Sequence, residues 1–253
     1  MPELGIIMEK TSKSQIKLVK SLQLKKYRDE LGLFVAEGEK CISELTKAFE
    51  LVYLYREGEN ATRTEIEQMS GLRTPQGVIA VFKKKPIEDW KLKIEDFVLA
   101  LDGIQDPGNL GTIIRTCDWF GVHDIFCSLD TADCYNPKVV QATMGALARV
   151  RVHYVDLPQK LSELRSQYSD LKIYGTLLDG KDMYEVLKSE GVKELKNEGI
   201  IVMGNEGNGI SNGVRKYISH AIRIPSYPKN AETSESLNVS IATAIVLAEF
   251  RRP

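Results

Sequence analysis

The spacing of apolar and polar residues changes character along the chain. From Glu9 to Arg28, Ile16, Leu18, Val19, Leu22 and Leu24 are interleaved with lysines, the pattern of a basic amphipathic helix and the turn after it. Short apolar runs at 33–38, 51–55 and 77–82 read as strands, and helical spacing at 39–49 and 64–69 lies between them. Together these predict a small α/β unit within residues 1–90. Lys83-Lys84-Lys85-Pro86 and the polar residues after it mark a domain boundary. Over 95–253 the alternation is more regular, with strand candidates at 97–101, 123–127, 150–155, 172–177, 200–203 and 221–224. Helical stretches separate nearly all of them, which predicts a parallel sheet with helices on both faces. Asn136-Pro137 opens one helix, with Asn as cap and Pro at the first helical position. The last helix, 237–250, is apolar nearly all round, so it is buried within its domain or against a partner.

Composition narrows the picture. In 253 residues, 43% apolar and 27% charged content describes an ordinary globular chain, and a net charge of −1 supplies no global basic field. Any nucleic acid must therefore be held by a local patch, and the candidates are Lys13, Lys17, Lys20, Lys25, Lys26 and Arg28. On composition alone, a solvated helix face is the preferred reading of that segment. Cys41, Cys117, Cys127 and Cys134 form no C-x-x-C pair, and His123, His153 and His220 lack ligand spacing. Buried thiols, no metal site, no membrane span and a cytoplasmic location are expected.

Ligands of parallel α/β sheets bind at the carboxyl ends of strands, so the loops there carry the candidate chemistry. After 97–101, Asp106-Pro107-Gly108-Asn109 turns into a helix on whose first two turns Asn109 and Arg115 both lie, and a capped turn with a solvated arginine fits equally well. Leu177-Leu178-Asp179-Gly180 reads as an Asp-Gly turn. Gly204-Asn205-Glu206-Gly207-Asn208-Gly209 sits where a nucleotide loop would, yet it has neither the G-x-G-x-x-G order nor G-K-[ST]. Glu206 would repel a pyrophosphate but suits a ligand with positive charge or with hydroxyl and amine donors, which disfavours NAD and ATP. Of the segment from Pro225 through the last helix, Ser236 and Asn238 are the site candidates.

Taken together, Asn109…Arg115, Met203–Gly209 and Ile224-Pro225…Ser236-Leu237-Asn238-Val239-Ser240 resemble the three motifs of the SpoU (TrmH-like) branch of the SPOUT RNA 2′-O-ribose methyltransferases. The resemblance covers 97–252 in order and spacing. Lys25-Lys26-Tyr27-Arg28, 34–38 and Gln76-Gly77-Val78 resemble that family's small L30e-like substrate-binding domain. The resemblance implies an α/β parallel-sheet SPOUT domain with a C-terminal trefoil knot, an exception to the rule against threaded chains. It also implies a homodimer formed through the knotted domain, and S-adenosylmethionine as cofactor. By position, Leu178, Gly204, Ile224 and Leu237 match cofactor-binding residues; Asn109, Arg115, Glu206, Ser236 and Asn238 match the polar active-site residues. Arg115 is the expected central residue, gripping a phosphate and orienting the 2′-hydroxyl. The segment 225–236, which the resemblance sets at the RNA entrance, is a few residues longer than the family pattern. In this context the lysines from Lys13 to Lys26 and Arg28 become RNA contacts. Ribosomal RNA is the preferred substrate, with tRNA the alternative. A non-catalytic RNA-binding protein of the same fold is the competing reading from another class.

Overall fold

The computed structural model describes residues 10–85, 97–189, 199–228 and 236–252. They form two compact units, one built from 10–85 with 133–149, the other from 97–132 with the described residues after 149. Elements are numbered in chain order.

The first unit holds α1 (Lys13–Ser21), α2 (Lys25–Leu31), β1 (Leu33–Glu37), α3 (Glu39–Leu45), β2 (Leu51–Arg56), α4 (Arg63–Met69), β3 (Val78–Lys83) and α6 (Pro137–Thr143). Its three strands form an antiparallel sheet in the order β1-β3-β2. Alternate strand residues serve opposite faces. Val35, Ile79, Val81 and Tyr55 join Val19 and Leu22 of the α1 segment and Ile66 and Met69 of α4. Phe34 faces the other way and meets Phe49, Phe82 and Tyr135, with ring centroids 4.8–5.5 Å apart. Residues 133–149, expected with the second domain, thus supply the aromatic cap of the first unit's sheet.

Two features of this unit differ from expectation. The basic segment is two helices and not one with a turn: α1 starts at a Ser12/Gln15 capping box, and α2 follows three residues after its end, stopping at Gly32, which is left-handed with φ 65°. Arg28 is not available to RNA. It is buried, and its guanidinium donates to Leu22 O and Gln23 O at 2.9 Å and to Asp133 Oδ2 at 2.7 and 3.0 Å. A charge that deep requires full partnering, and these four bonds provide it.

The second unit holds β4 (Phe97–Asp102), α5 (Pro107–Trp119), β5 (Asp124–Ser128), β6 (Arg151–Val155), α7 (Leu157–Gln167), β7 (Ile173–Asp182), α8 (Met183–Ser189), β8 (Gly199–Gly204), α9 (Asn212–Arg215), β9 (His220–Arg223) and α10 (Val239–Phe250). The sheet order is β6-β5-β4-β8-β7-β9 and every pairing is parallel. Central β4 is buried at every residue, as expected for a strand covered on both faces. Val98, Ala100, Ile173, Ile200 and Val202 face α7 and α9. Phe97 and Tyr174, one residue out of phase, instead clasp Phe250 at centroid distances of 5.5 and 5.0 Å. Phe250 ends α10, while Phe97 and Tyr174 lie at the amino ends of their strands. The helix, about 18 Å long, therefore runs back across the sheet and starts at the carboxyl ends. It is buried on one side only, leaving Ile241 exposed.

Residues 177–180 do not end a strand in a turn. They bulge within β7, whose pairing with β9 shifts between Thr176 and Lys181, both opposite Ile222. Gly180 is needed there because a Cβ would stand 2.5 Å from the Ile222 backbone.

Candidate active site

Three loops at the carboxyl ends of the central strands build the site. After β4, the side chain of Asp106 accepts from Asn109 N at 2.8 Å with Pro107 at the first helical position, so a local cap fixes where Asn109 begins. After β8, Asn205 and Gly209 exchange main-chain hydrogen bonds of 3.0 and 2.9 Å and close a short loop. Gly209 takes the left-handed turn with φ 66°. A Cβ on Gly204 would stand 2.4 Å from the main chain of Gly209, so only glycine lets the loop fold back on the strand end. Before α10, Asn238 is the cap, its Oδ1 accepting from Ser240 N at 3.0 Å, Ile241 N at 3.3 Å and Ser240 Oγ at 2.6 Å.

These segments meet in one line of hydrogen bonds. Asn109 Nδ2 donates to Glu206 Oε1 at 2.7 Å, and Asn238 Nδ2 donates to Asn109 Oδ1 at 3.0 Å. The direction of the line is fixed from both ends. An ionised carboxylate only accepts, which turns the amide nitrogen of Asn109 toward Glu206, and the main-chain N–H groups of α10 only donate, which turns the amide oxygen of Asn238 toward the helix. Each asparagine is then left with the one orientation that satisfies its neighbours.

The structure brings together Asn109, Glu206 and Asn238 and does not place Arg115 or Ser236 in their network. Arg115 lies about 9 Å farther along α5. It is exposed, and among the described residues it makes no hydrogen bond or ion pair. Ser236 is exposed as well, as are Leu178 on the β7 bulge and Leu237 just before α10. Gly204 and Ile224 are half-buried at the ends of their strands. An open groove of about 1140 Å³ runs along α8 and β9 between Asp182, Glu185, His220 and Arg223, and contains none of these nine residues.

Sequence reading missed the residue that organises the loop, Asn205. Its Nδ2 donates to Gly103 O at 2.7 Å, and its Oδ1 accepts from Gly207 N at 2.8 Å and Asn208 N at 3.0 Å. Gly103 N in turn donates to Ser128 Oγ at 2.8 Å, which ties the loops after β4, β5 and β8 together. The signal was present: an Asn followed by Glu-Gly-Asn is an Asx-turn sequence. Asp102 was missed too, and its Oδ2 accepts from Ser211 N at 2.7 Å beyond the same loop.

At the opposite end of the sheet, Asp124 meets Arg151 at 2.5 and 2.7 Å and His153 at 2.9 Å. Burial pushes its carboxyl up, but the hydrogen bonds from His153 and Arg151 outweigh that and hold it below the ordinary carboxylate value. This cluster sits at amino ends of strands and contributes to stability, away from the loops of the site. All four cysteines are buried thiols outside any disulfide, and no metal-ligand cluster occurs among the described residues.

A parallel α/β sheet with a carboxylate and two amides linked at its carboxyl ends defines an α/β domain whose ligand is gathered by loops. Residues 96–248 match the SpoU rRNA Methylase family, and the chain belongs to that family. Residues 13–64 match the MRM3-like substrate binding domain. Among relatives, the 23S rRNA (guanosine(2553)-2′-O)-methyltransferase RlmP of Bacillus subtilis is 29% identical over 96% of this chain and 98% of its own. Among solved structures, a TrmH-family protein from Porphyromonas gingivalis is 35% identical with a TM-score of 0.84, covering 96% of this chain and 98% of that one. The AdoMet-bound rRNA methyltransferase of Sinorhizobium meliloti is 28% identical with a TM-score of 0.80, covering 96% and 97%.

Proposed function

We propose that the protein transfers a methyl group from S-adenosylmethionine to the ribose 2′-hydroxyl of a nucleotide in ribosomal RNA. The observation that carries this reading is the line Glu206–Asn109–Asn238, which joins one residue from each of the three motif segments into a single site. The similarity to RlmP and to the AdoMet-bound enzyme supports the substrate and the cofactor.

The residues present fit that cofactor. The Cβ position of half-buried Gly204 is taken by the main chain of Gly209 and Ile210, so what this residue can offer a ligand is its own main-chain groups. An exposed carboxylate beside it favours a cation and disfavours a phosphate. Leu178 and Leu237 offer apolar side chains on the two flanking segments, suited to an adenine, and Gly204 and Ile224 hold through main-chain groups. When bound, S-adenosylmethionine supplies an electrophilic methyl group on a cationic sulfur.

The chain's own residues prepare the acceptor. A ribose hydroxyl is a poor nucleophile and needs placement in line with the methyl group. Arg115, always charged, binds the phosphate beside the target ribose through its planar fork and orients the hydroxyl. Asn109 holds Glu206 in place, Ser236 borders the RNA, and Asn238 fixes the start of α10. In the first unit, which we read as the RNA-binding domain within residues 1–90, Lys13, Lys17, Lys20, Lys25 and Lys26 are exposed and supply phosphate contacts. Exposed Trp119 on α5 and Ile241 on α10 suit a second copy of the chain, in keeping with a homodimer through a trefoil-knotted domain. A cytoplasmic location follows from this substrate. No described helix is long and apolar enough to cross a membrane.

The test is to incubate the purified protein with radiolabelled S-adenosylmethionine and either unmodified 23S rRNA or bulk tRNA. Label on a ribose of the rRNA is expected. Label on tRNA alone would redirect the substrate, and no label on either RNA, with cofactor binding intact, would leave a non-catalytic RNA-binding protein.

A further inference from the structure

In the first unit, α2 is built the wrong way round for an ordinary amphipathic helix. Its buried residue is Arg28, 1% exposed, while Leu24, Tyr27 and Leu31 are 60%, 37% and 44% exposed. Leu24 caps the helix, and the three stand at positions i, i+3 and i+7, the spacing of a single helix face. Burying an arginine requires the four hydrogen bonds that Arg28 makes, and the outcome is an apolar, aromatic strip left in water.

The rim of the strip is cationic. Lys25 and Lys26 are exposed on α2, and Lys20 is exposed at the end of α1. Lys26 Nζ lies 5.8 Å from the centre of the Tyr27 ring. Of the two acids on α2, Asp29 is occupied by Lys25 and Lys84, each at 2.6 Å, and Glu30 is exposed one residue before Leu31.

We propose that Tyr27, with Leu24 and Leu31 beside it, is a stacking platform for an unpaired base of the RNA substrate, with Lys20 and Lys26 holding the adjoining phosphates. Of the proposed function, this rests on the RNA substrate and not on the methyl transfer. Size decides between an RNA base and a protein partner. A specific protein interface takes about 20–30 residues a side, whereas one base needs one ring and a cation near it. Three side chains with Lys26 over the ring match the second and fall far short of the first.

The test measures the affinity of unmodified 23S rRNA transcript for wild type, Tyr27→Ala, Tyr27→Phe and Lys26→Ala across a salt series, alongside methyl transfer, cofactor affinity and sedimentation. Tyr27→Ala is expected to weaken RNA binding about 5- to 150-fold at every salt concentration with an unchanged slope, because stacking releases no counterions. Tyr27→Phe should bind as wild type, and Lys26→Ala should lower the salt slope by about one phosphate contact. Cofactor affinity should be the same in all four. Wild-type binding by Tyr27→Ala, or a Phe variant as weak as Ala, overturns the platform. So does a change in the sedimenting mass of the assembly with RNA affinity unmoved, which would make the strip a protein-docking face. If wild type binds the RNA but methylates none, the proposed activity fails and the platform stands. If wild type methylates and Tyr27→Ala leaves the KM for RNA unchanged, only the platform fails.

Discussion

Asn109 reaches Glu206 across 97 positions of sequence and donates to it over 2.7 Å, while accepting at its other end from Asn238. One amide thus sets the carboxylate of the glycine loop against the cap of the last helix. Removing it with Asn109→Ala leaves all three segments standing, since each has its own main-chain cap or bridge, so little stability should be lost. Methyl transfer should fall by about ten- to a hundredfold, the range for losing a hydrogen bond to a charged group. Asn109→Asp should be worse at neutral pH, because it sets one carboxylate against another, and should regain activity as pH falls toward the carboxylate range. A pH–rate profile of both variants checks the sign.

Arg115→Ala should abolish methyl transfer while leaving S-adenosylmethionine affinity, measured by calorimetry, within about twofold of wild type. Arg115→Lys keeps the charge but loses the planar fork and should stay at least about tenfold impaired. A lysine variant with full activity would reduce the arginine to a point charge.

Gly204→Ala forces a Cβ against the main chain of Gly209 and Ile210 at 2.4–2.5 Å, contacts that no rotamer relieves. It should cost about 1–3 kcal/mol and weaken cofactor binding sharply. Gly207→Ala is the control, since the nearest atom is Asn205 Oδ1 at 3.5 Å. Thermal unfolding with and without S-adenosylmethionine separates the two.

Arg28→Ala should destabilise the protein by about 3–5 kcal/mol, because it leaves Asp133 and two carbonyls without their donor. The loss should be the same at low and high salt and should appear without RNA. A stable Arg28→Ala protein with a reduced salt slope for RNA would instead return this residue to the binding surface.

Asp124 gives a pH dependence of known sign. Its folded carboxyl is held below the ordinary value, so its contribution is complete above the unfolded pKa of about 4 and is lost as pH falls through the folded value. Asp124→Asn should therefore lower stability at pH 7 and flatten the acid limb of the stability curve below about pH 4. Urea midpoints from pH 2 to 7 report both effects.

Much of this protein was legible in its sequence, because the features concerned are local. Short apolar runs with helical spacing between them place the strands of the parallel sheet; Asn136-Pro137 and Asp106-Pro107 each start a helix with a side chain two or three residues away. The motif residues Asn109, Glu206 and Asn238 could be named from their own segments. Only the tertiary structure decided what depends on distant partners. Arg28 reads as a surface cation until Asp133, 105 positions on, is seen to bury it. Asp179-Gly180 reads as a turn until the neighbouring β9 holds it within a strand. Residues 133–149 follow β5 in sequence but cover the first unit's sheet, because Phe34 and Phe49 need Tyr135 and the main chain carries no record of that demand. The joining of Asn109 to Glu206 and Asn238 is of the same kind: the sequence determines that each can donate and accept, and the crossing of strands and helix determines to whom.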